Sequence, residues 1–368
     1  MKTLLNKSLN ICLNIYKKNK ENKLFNFSLK CFSYIFFVLY KTRLLLYKLK
    51  ILKTYTLPAY IVSIGNITSG GTGKTPMCIE VGKYFMSINR KIAILTRAYN
   101  TNNEDKVTLV SDGLEILVEP EDCGDEAFLI AKNLPKAMVF AGKDRVKTAK
   151  AAIRLGAEIV IVDDGYQYLK LNRNENILMI DSYRPFDNRH LLPFGKLREL
   201  PDSICRASAI IISNSKSKQL AEADLKTLKK YGDKIPITKT SYKLKELTSL
   251  NTKRILKDSE IKNLRAIACC GIGNPESFID LLKRNEILVL ESLIYPDHHK
   301  YLYNDIEKMI KLCKSSNTED IITTEKDAVK IIDLCQAAPI NFWAIKIDVS
   351  WDEYDFLDKL FQKSSLEK

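Results

Sequence analysis

Glycine and proline are sparse in this chain, 14 and 11 among 368 residues, which excludes a collagen-like or low-complexity protein. Long apolar runs are missing too. The best candidate, CFSYIFFVLY at 31–40, covers about 15 Å as a helix, half of a hydrocarbon core of roughly 30 Å, and cannot span a bilayer alone. The first 25 residues are broken by Lys7, Asn10 and Asn14 and lack the continuous apolar core of a secretory signal. None of the nine cysteines forms a C-x-x-C pair, and no His/Cys cluster has zinc spacing. They read as small buried apolar residues of a reducing compartment. Acidic residues are nearly absent from one end: residues 1–53 hold 12 basic side chains and one acid, Glu21. The other residues carry 46 basic and 43 acidic groups, a net of only +3. A nearly neutral body argues against a broad nucleic-acid surface. A basic, apolar terminus suits an anionic membrane, to which each Lys or Arg contributes about 1 kcal/mol. The expectation is a basic extension over 1–30 and a membrane-associating helical segment over 31–54, peripheral or monotopic.

From Ala59 onward, short apolar runs alternate with amphipathic segments. AYIVSIG (59–65), KIAILT (91–96), EIVIVDD (158–164) and NILMID (176–181) read as buried strands, with helices at TPMCIEVGKYFM and VKTAKAAIRLG. RAIACCGIG (265–273), DIITT (320–324) and FWAIKIDV (342–349) repeat the style. Continuous apolar strands separated by helices indicate an α/β fold whose parallel sheet is covered on both faces. The Ser/Lys-rich segment 213–218 is the candidate junction between a first domain over 55–215 and a smaller α/β domain over 216–368.

The strongest motif is strand, turn and helix in IVSIGNITSGGTGKTPMCIEV. Backbone N–H groups along Thr68, Ser69, Gly70, Gly71, Thr72 and Gly73 can form a concave nest for phosphate oxygens, where a β-carbon would block close approach. Lys74 would reach the β/γ-phosphates, Thr75 would bind Mg²⁺, and the following helix aims its N-terminus at the anion. The strict G-x-x-x-x-G-K-[ST] pattern fails at its first position, Thr68, while three glycines, Lys74 and Thr75 remain. The physics points to an ATP-type P-loop. In IVIVDDGYQY, Asp163 and Asp164 stand at the carboxyl end of a buried strand, costly for two carboxylates unless a cation such as Mg²⁺ shares them. In CGDEAFLIA, Asp125 and Glu126 precede an apolar helix and supply a candidate general base. There are three histidines, His190, His298 and His299; the last two lie beside Asp297 in YPDHHKY, where a carboxylate can fix a ring's tautomer. FGKLREL adds Arg198, suited to phosphate charge, and Glu199, suited to metal.

Taken in order, IGNITSGGTGKTP, GDEAFLIA, GKDR, DDGYQY, LLPFGKLRE, CGIGNPESF, PDHHKY and TTEKDA resemble the tetraacyldisaccharide 4'-kinase family of lipid A biosynthesis, over about residues 33–349. The resemblance implies a P-loop NTPase-type domain and a second α/β domain with the site in the cleft between them. It implies transfer of the γ-phosphate of ATP, with Mg²⁺, to the 4'-hydroxyl of a tetraacylated glucosamine disaccharide 1-phosphate. That reaction belongs to the cytoplasmic face of the bacterial inner membrane. No nucleic acid and no obligate protein partner are implied. Lys74 and Thr75 match the family's phosphate and Mg²⁺ positions, and Asp125 its catalytic acid. His298 matches the histidine that works with that acid, Asp163 and Asp164 its strand-end pair, and Arg198 and Glu199 its Arg-Glu pair. Two departures stand out. Tyr168 replaces the histidine that usually ends the Gly-x-Gln-His run, and TRAYN puts Ala98 and Asn100 where the family carries glycines.

A membrane-associated P-loop ATPase of the partition or positioning type is the rival. Its loop resembles K-G-G-x-G-K-[ST], and here the extra lysine is Ser69. A non-catalytic nucleotide-binding scaffold leaves Asp125, His298 and the aspartate pair unexplained, and a nucleic-acid-dependent NTPase needs a basic body.

Overall fold

In the computed structural model, residues 23–98, 101 and 105–362 are described; most of the expected basic extension, and Asn100, lie outside them. One sheet of twelve strands runs through the whole of the described chain. Its first half comprises β1 (Tyr60–Gly65), β2 (Ile92–Thr96), β3 (Thr108–Asp112), β4 (Met138–Ala141), β5 (Ile159–Asp163), β6 (Glu175–Asp181) and β7 (Ala209–Ser213). The second half holds β8 (Ile237–Ser249), β9 (Arg265–Cys270), β10 (Leu288–Ile294), β11 (Asp320–Thr324) and β12 (Asn341–Trp351). Across the sheet the order is β10-β9-β11-β12-β8-β7-β6-β1-β5-β2-β4-β3. Pairing is parallel except for β3 on β4 and the long β8–β12 pair, which are antiparallel. The junction segment after Ser213 is a turn at the end of β7, and the sheet continues past it because β7 pairs in parallel with β8.

The layers follow from the strand pattern. Along β1, Val62 and Ile64 enter a core with α2 (Lys74–Ser87) and α3 (Asp125–Asn133), while Ile61 faces the opposite core with α4 (Arg145–Arg154). Both faces of a parallel sheet are thereby buried, as continuous apolar runs require. A further core on the second face packs Leu228 of α5 (Glu222–Gly232) and takes in Phe36 and Phe37 of α1 (Lys23–Lys48). In the second half, α6 (Pro275–Arg284) covers one face of the sheet, and α7 (Tyr303–Ser315) and α8 (Glu325–Cys335) cover the other. The chain then returns: α9 (Phe356–Gln362) places Phe356, Leu357, Leu360 and Phe361 in the core of the first half. Phe361 lies 4.6 Å from Phe85, ring centre to ring centre.

The helix expected over 31–54 begins earlier and ends sooner, as α1 is 26 residues long and stops at Lys48. No helix among the described residues is long and apolar enough to cross a membrane. Six of the described cysteines are buried as expected, whereas Cys31 and Cys205 are exposed.

Candidate functional site

β1 ends at Gly65, and the loop beyond it crosses the carboxyl edge of the sheet before α2 starts at Lys74. Gly73 caps α2 with φ 80° and Gly70 has φ 124°, backbone that L side chains rarely adopt. The loop is fastened at several points. Ser69 N donates to Lys196 O at 2.7 Å, Arg198 N to Ile67 O at 2.7 Å, and Ser213 Oγ to Thr72 O at 3.0 Å. From the second half, Gly273 packs so closely that a β-carbon there would run into Gly71 N. Asn274 of the same CGIGNP motif donates to Asp181 Oδ2 at 2.6 Å, and Asn214 donates to the other oxygen of that carboxylate at 2.9 Å. The Tyr242 hydroxyl fills the space a β-carbon would take at Gly73 and is buried with no hydrogen-bond partner. These contacts were not legible in the loop motif itself.

Asp163 ends β5 beside Ile64 of β1, so the strand-end acids flank the start of the loop. Arg145, from the GKDR motif, is buried behind them and donates to Thr96 O at 2.7 Å and Asp163 O at 3.2 Å. The two aspartates have different environments. Asp164, at φ 51°, accepts from Arg198 Nη1 at 2.9 and 2.8 Å and faces Lys74 Nζ at 3.5 Å. Burial pushes its carboxyl up, but Lys74 and Arg198 outweigh burial and hold it well below the usual carboxylate range. For Asp163, burial and then the nearby Glu126 charge push the carboxyl up to about 7. Its Oδ1 is buried and has no hydrogen-bond partner. A buried acid held against ionisation, with an orphaned oxygen, is a group that a divalent cation would satisfy.

Asp125 opens α3, and His298 reaches it from the loop after β10, although the two are far apart in sequence. His298 Nδ1 stands 3.4 Å from Asp125 Oδ2, and Lys330 Nζ stands 3.6 Å from the same oxygen. Burial raises the Asp125 carboxyl, while His298, Lys326 and Lys330 pull it well below the usual range. His298 has φ 59°, a strained conformation for this residue. Burial lowers its proton affinity, and the Asp125 carboxylate raises it past the ordinary histidine value. His299 turns away to Asp305 Oδ2 at 3.0 Å and stacks on Tyr295, and His190 packs edge-on against Phe194. Between the paired histidines, geometry selects His298 as the neighbour of Asp125.

Glu199 is placed differently from its expected metal role. It is buried, accepts from Arg206 Nη2 at 2.6 Å and from the Tyr40 hydroxyl at 3.3 Å, and so ties α1 to the body. Among the described residues no group of three or more His, Cys, Asp or Glu is arranged to hold a metal by itself. Tyr168, in the place of a family histidine, donates to Asp144 Oδ1 at 3.1 Å; Asp144 in turn caps α4 and pairs with Lys170. Ala98 is fully buried in the core of the first half. Sequence reasoning gave no role to Lys326, which lies within the TTEKDA motif, or to Lys330, one turn further along α8.

The profile of the tetraacyldisaccharide-1-P 4'-kinase family matches residues 25–365. A tetraacyldisaccharide 4'-kinase of Halothermothrix orenii is 37% identical over 346 residues, covering 89% of this chain and 90% of the relative. That of Syntrophus aciditrophicus is 35% identical over 344 residues, covering 90% and 91%. A crystal structure of LpxK from Aquifex aeolicus in complex with ATP aligns with TM-score 0.73 at 28% identity, covering 92% of this chain and 99% of that one. The match runs through the loop, the strand-end acids and both halves of the sheet, and the chain belongs to the tetraacyldisaccharide-1-P 4'-kinase family.

Proposed function

We propose that this kinase transfers the γ-phosphate of ATP to the 4'-hydroxyl of a tetraacylated glucosamine disaccharide 1-phosphate in lipid A biosynthesis. One observation carries the reading. A cavity of about 1170 Å³ joins Gly70–Thr75, Asp164 and His298 to Phe36, Leu39 and Arg43 of α1. Nucleotide loop, the histidine of the proton-accepting pair and apolar helix thus open onto one space, as a reaction between ATP and a lipid-borne hydroxyl requires. Residues 55–215 act as the kinase lobe and the residues from 216 as the lobe closing over it, with α9 returned to the first.

Phosphoryl transfer asks mainly for positioning and charge neutralisation. The loop amides and Lys74 hold the phosphates, and Arg198 holds its charge at the strand end through Asp164. Thr75, Asp163 and Asp164 would hold Mg²⁺, which supplies further neutralisation of phosphate charge; the orphaned Asp163 oxygen supports this fit. Asp125, ionised at neutral pH, is the base, and His298, which lines the cavity, relays the proton to it.

The exposed face of α1 carries Leu24, Ile35, Val38, Leu39 and Leu45, opposite the buried Ser33 and Tyr40. Lys30, Arg43 and Lys48 flank it. That amphipathic pattern supports peripheral or monotopic attachment to the cytoplasmic face of a bacterial inner membrane, where the acceptor resides.

The test is transfer of radiolabelled γ-phosphate from ATP to the tetraacyl disaccharide 1-phosphate in detergent micelles, with and without Mg²⁺. Mg²⁺-dependent labelling that Asp125→Ala abolishes is the expected result. Folded, ATP-binding protein that labels no lipid would refute the acceptor.

A further inference from the structure

Lys326 lies in the first turn of α8, directly after β11, and reaches into the cavity. Its Nζ lies 3.1 Å from Glu126 Oε1, 3.2 Å from Asp297 Oδ1 and 3.3 Å from His298 Nε2. An ammonium has three N–H donors and no lone pair, and here it meets three acceptors. A ring nitrogen facing such a donor must itself be unprotonated. The one proton of a neutral His298 ring therefore sits on Nδ1, the nitrogen 3.4 Å from Asp125 Oδ2.

We propose that Lys326 is a positioning residue that sets the tautomer of His298 and keeps its Nε2 lone pair unprotonated until the acceptor hydroxyl takes the ammonium's place. The inference rests on the Asp125–His298 base described above. When the hydroxyl arrives, the ammonium keeps its two carboxylates, Glu126 and Asp297, so releasing the imidazole leaves no charge unpaired. The hydroxyl proton then moves to Nε2 and the Nδ1 proton shifts toward Asp125. The oxygen bonds to the γ-phosphorus as the bond from that phosphorus to the bridging oxygen breaks, leaving its electron pair on ADP.

The charged groups around the ring are few. Asp125 and Glu126 come from α3, Asp297 from the histidine's own loop, and Lys326 from α8; Lys330, one turn along, faces Asp125. Lys326 and His298 are both largely covered, with side-chain exposures of 17% and 23%, so water screens their interaction only in part. Of these groups, Lys326 is a cation that opposes protonation of both His298 and Asp125. Removing its charge raises the proton affinity of both.

The experiment uses the full chain with ¹⁵N-labelled histidine. With three histidines in the sequence, the imidazole nitrogens can be followed singly in the wild type, Lys326→Met and Lys326→Arg. The wild type should show the His298 proton on Nδ1. In Lys326→Met, Nε2 should become protonated near neutral pH, the acid limb of the kcat–pH profile should move to higher pH, and kcat at neutral pH should fall on the order of 10²-fold. Lys326→Arg keeps the charge and should restore the limb, though not the full kcat. Unchanged His190 and His299 signals would show that the fold is intact. A wild-type tautomer and a wild-type limb in Lys326→Met overturn the proposal, whatever happens to kcat. Failure of the base reading looks different: His298→Ala would then keep its kcat, while the tautomer measurement still reports on Lys326.

Discussion

Glu199→Gln separates a metal ligand from a structural anchor. The side chain is 3% exposed and its carboxylate serves Arg206 and the Tyr40 hydroxyl. Removing one partner of a buried ion pair costs about 3–5 kcal/mol, because the charge left behind stays desolvated. Arg206 is 27% exposed, so water recovers part of that, and the low end, about 3 kcal/mol, applies. With an unfolding entropy of about 2.1 cal/mol/K per residue over a chain of this length, the thermal midpoint should drop by about 4 °C. Since Tyr40 is the point at which α1 meets Glu199, the KM for the lipid should rise as well. The Mg²⁺ concentration for half-maximal activity should not change. Thermal unfolding and a Mg²⁺ titration of the phosphotransfer rate measure both. A tenfold higher Mg²⁺ requirement with an unchanged midpoint would show that Glu199 ligates metal and that the anchor reasoning is wrong.

Gly73→Ala should weaken ATP binding by at least about tenfold, since a residue at φ 80° costs roughly 1–2 kcal/mol and the added methyl meets the Tyr242 hydroxyl. Calorimetry would reveal normal affinity if the loop does not hold the phosphates. Ile35→Ser combined with Leu45→Ser alters exposed residues, so the thermal midpoint should barely move. Sedimentation with anionic vesicles should nevertheless fall at least about tenfold, because each side chain forfeits about 1.5–3 kcal/mol of burial in the bilayer. Undiminished sedimentation would assign the membrane contact to another surface.

Several strands were readable because their apolar runs are continuous, although β4, β7 and β10 were not among those expected. The expected 59–65, 91–96, 158–164 and 176–181 became β1, β2, β5 and β6 within a residue or two at each end. β8 escaped notice because four of its five buried positions are Thr238, Thr240, Ser241 and Ser249, with lysines interleaved and Leu247 the one buried apolar residue, so burial there leaves little apolar signature. Asp125 and His298 were legible as chemistry, each in a local motif, but their meeting depends on how the second half folds over the first. Lys326 is harder still: its contact with Glu126 joins residues 200 apart, and lysine in a helical first turn carries no local signal. The partners of Glu199 were not legible from its place beside Arg198. The two adjacent side chains of this bend go to different partners, Arg198 to Asp164 and Glu199 to Arg206, which sequence spacing does not reveal.

The return of α9 to the first half bears on how the protein is made. Phe361 packs among Tyr60, Tyr84 and Phe85, residues that leave the ribosome nearly 300 positions earlier. During synthesis the nascent first half holds that aromatic surface uncovered until the entire second half has followed it out. α1, with its apolar stripe, emerges before either half. The order of emergence frees α1, the helix proposed to meet the bilayer, while the catalytic body is unfinished, and a long-range contact completes the core last.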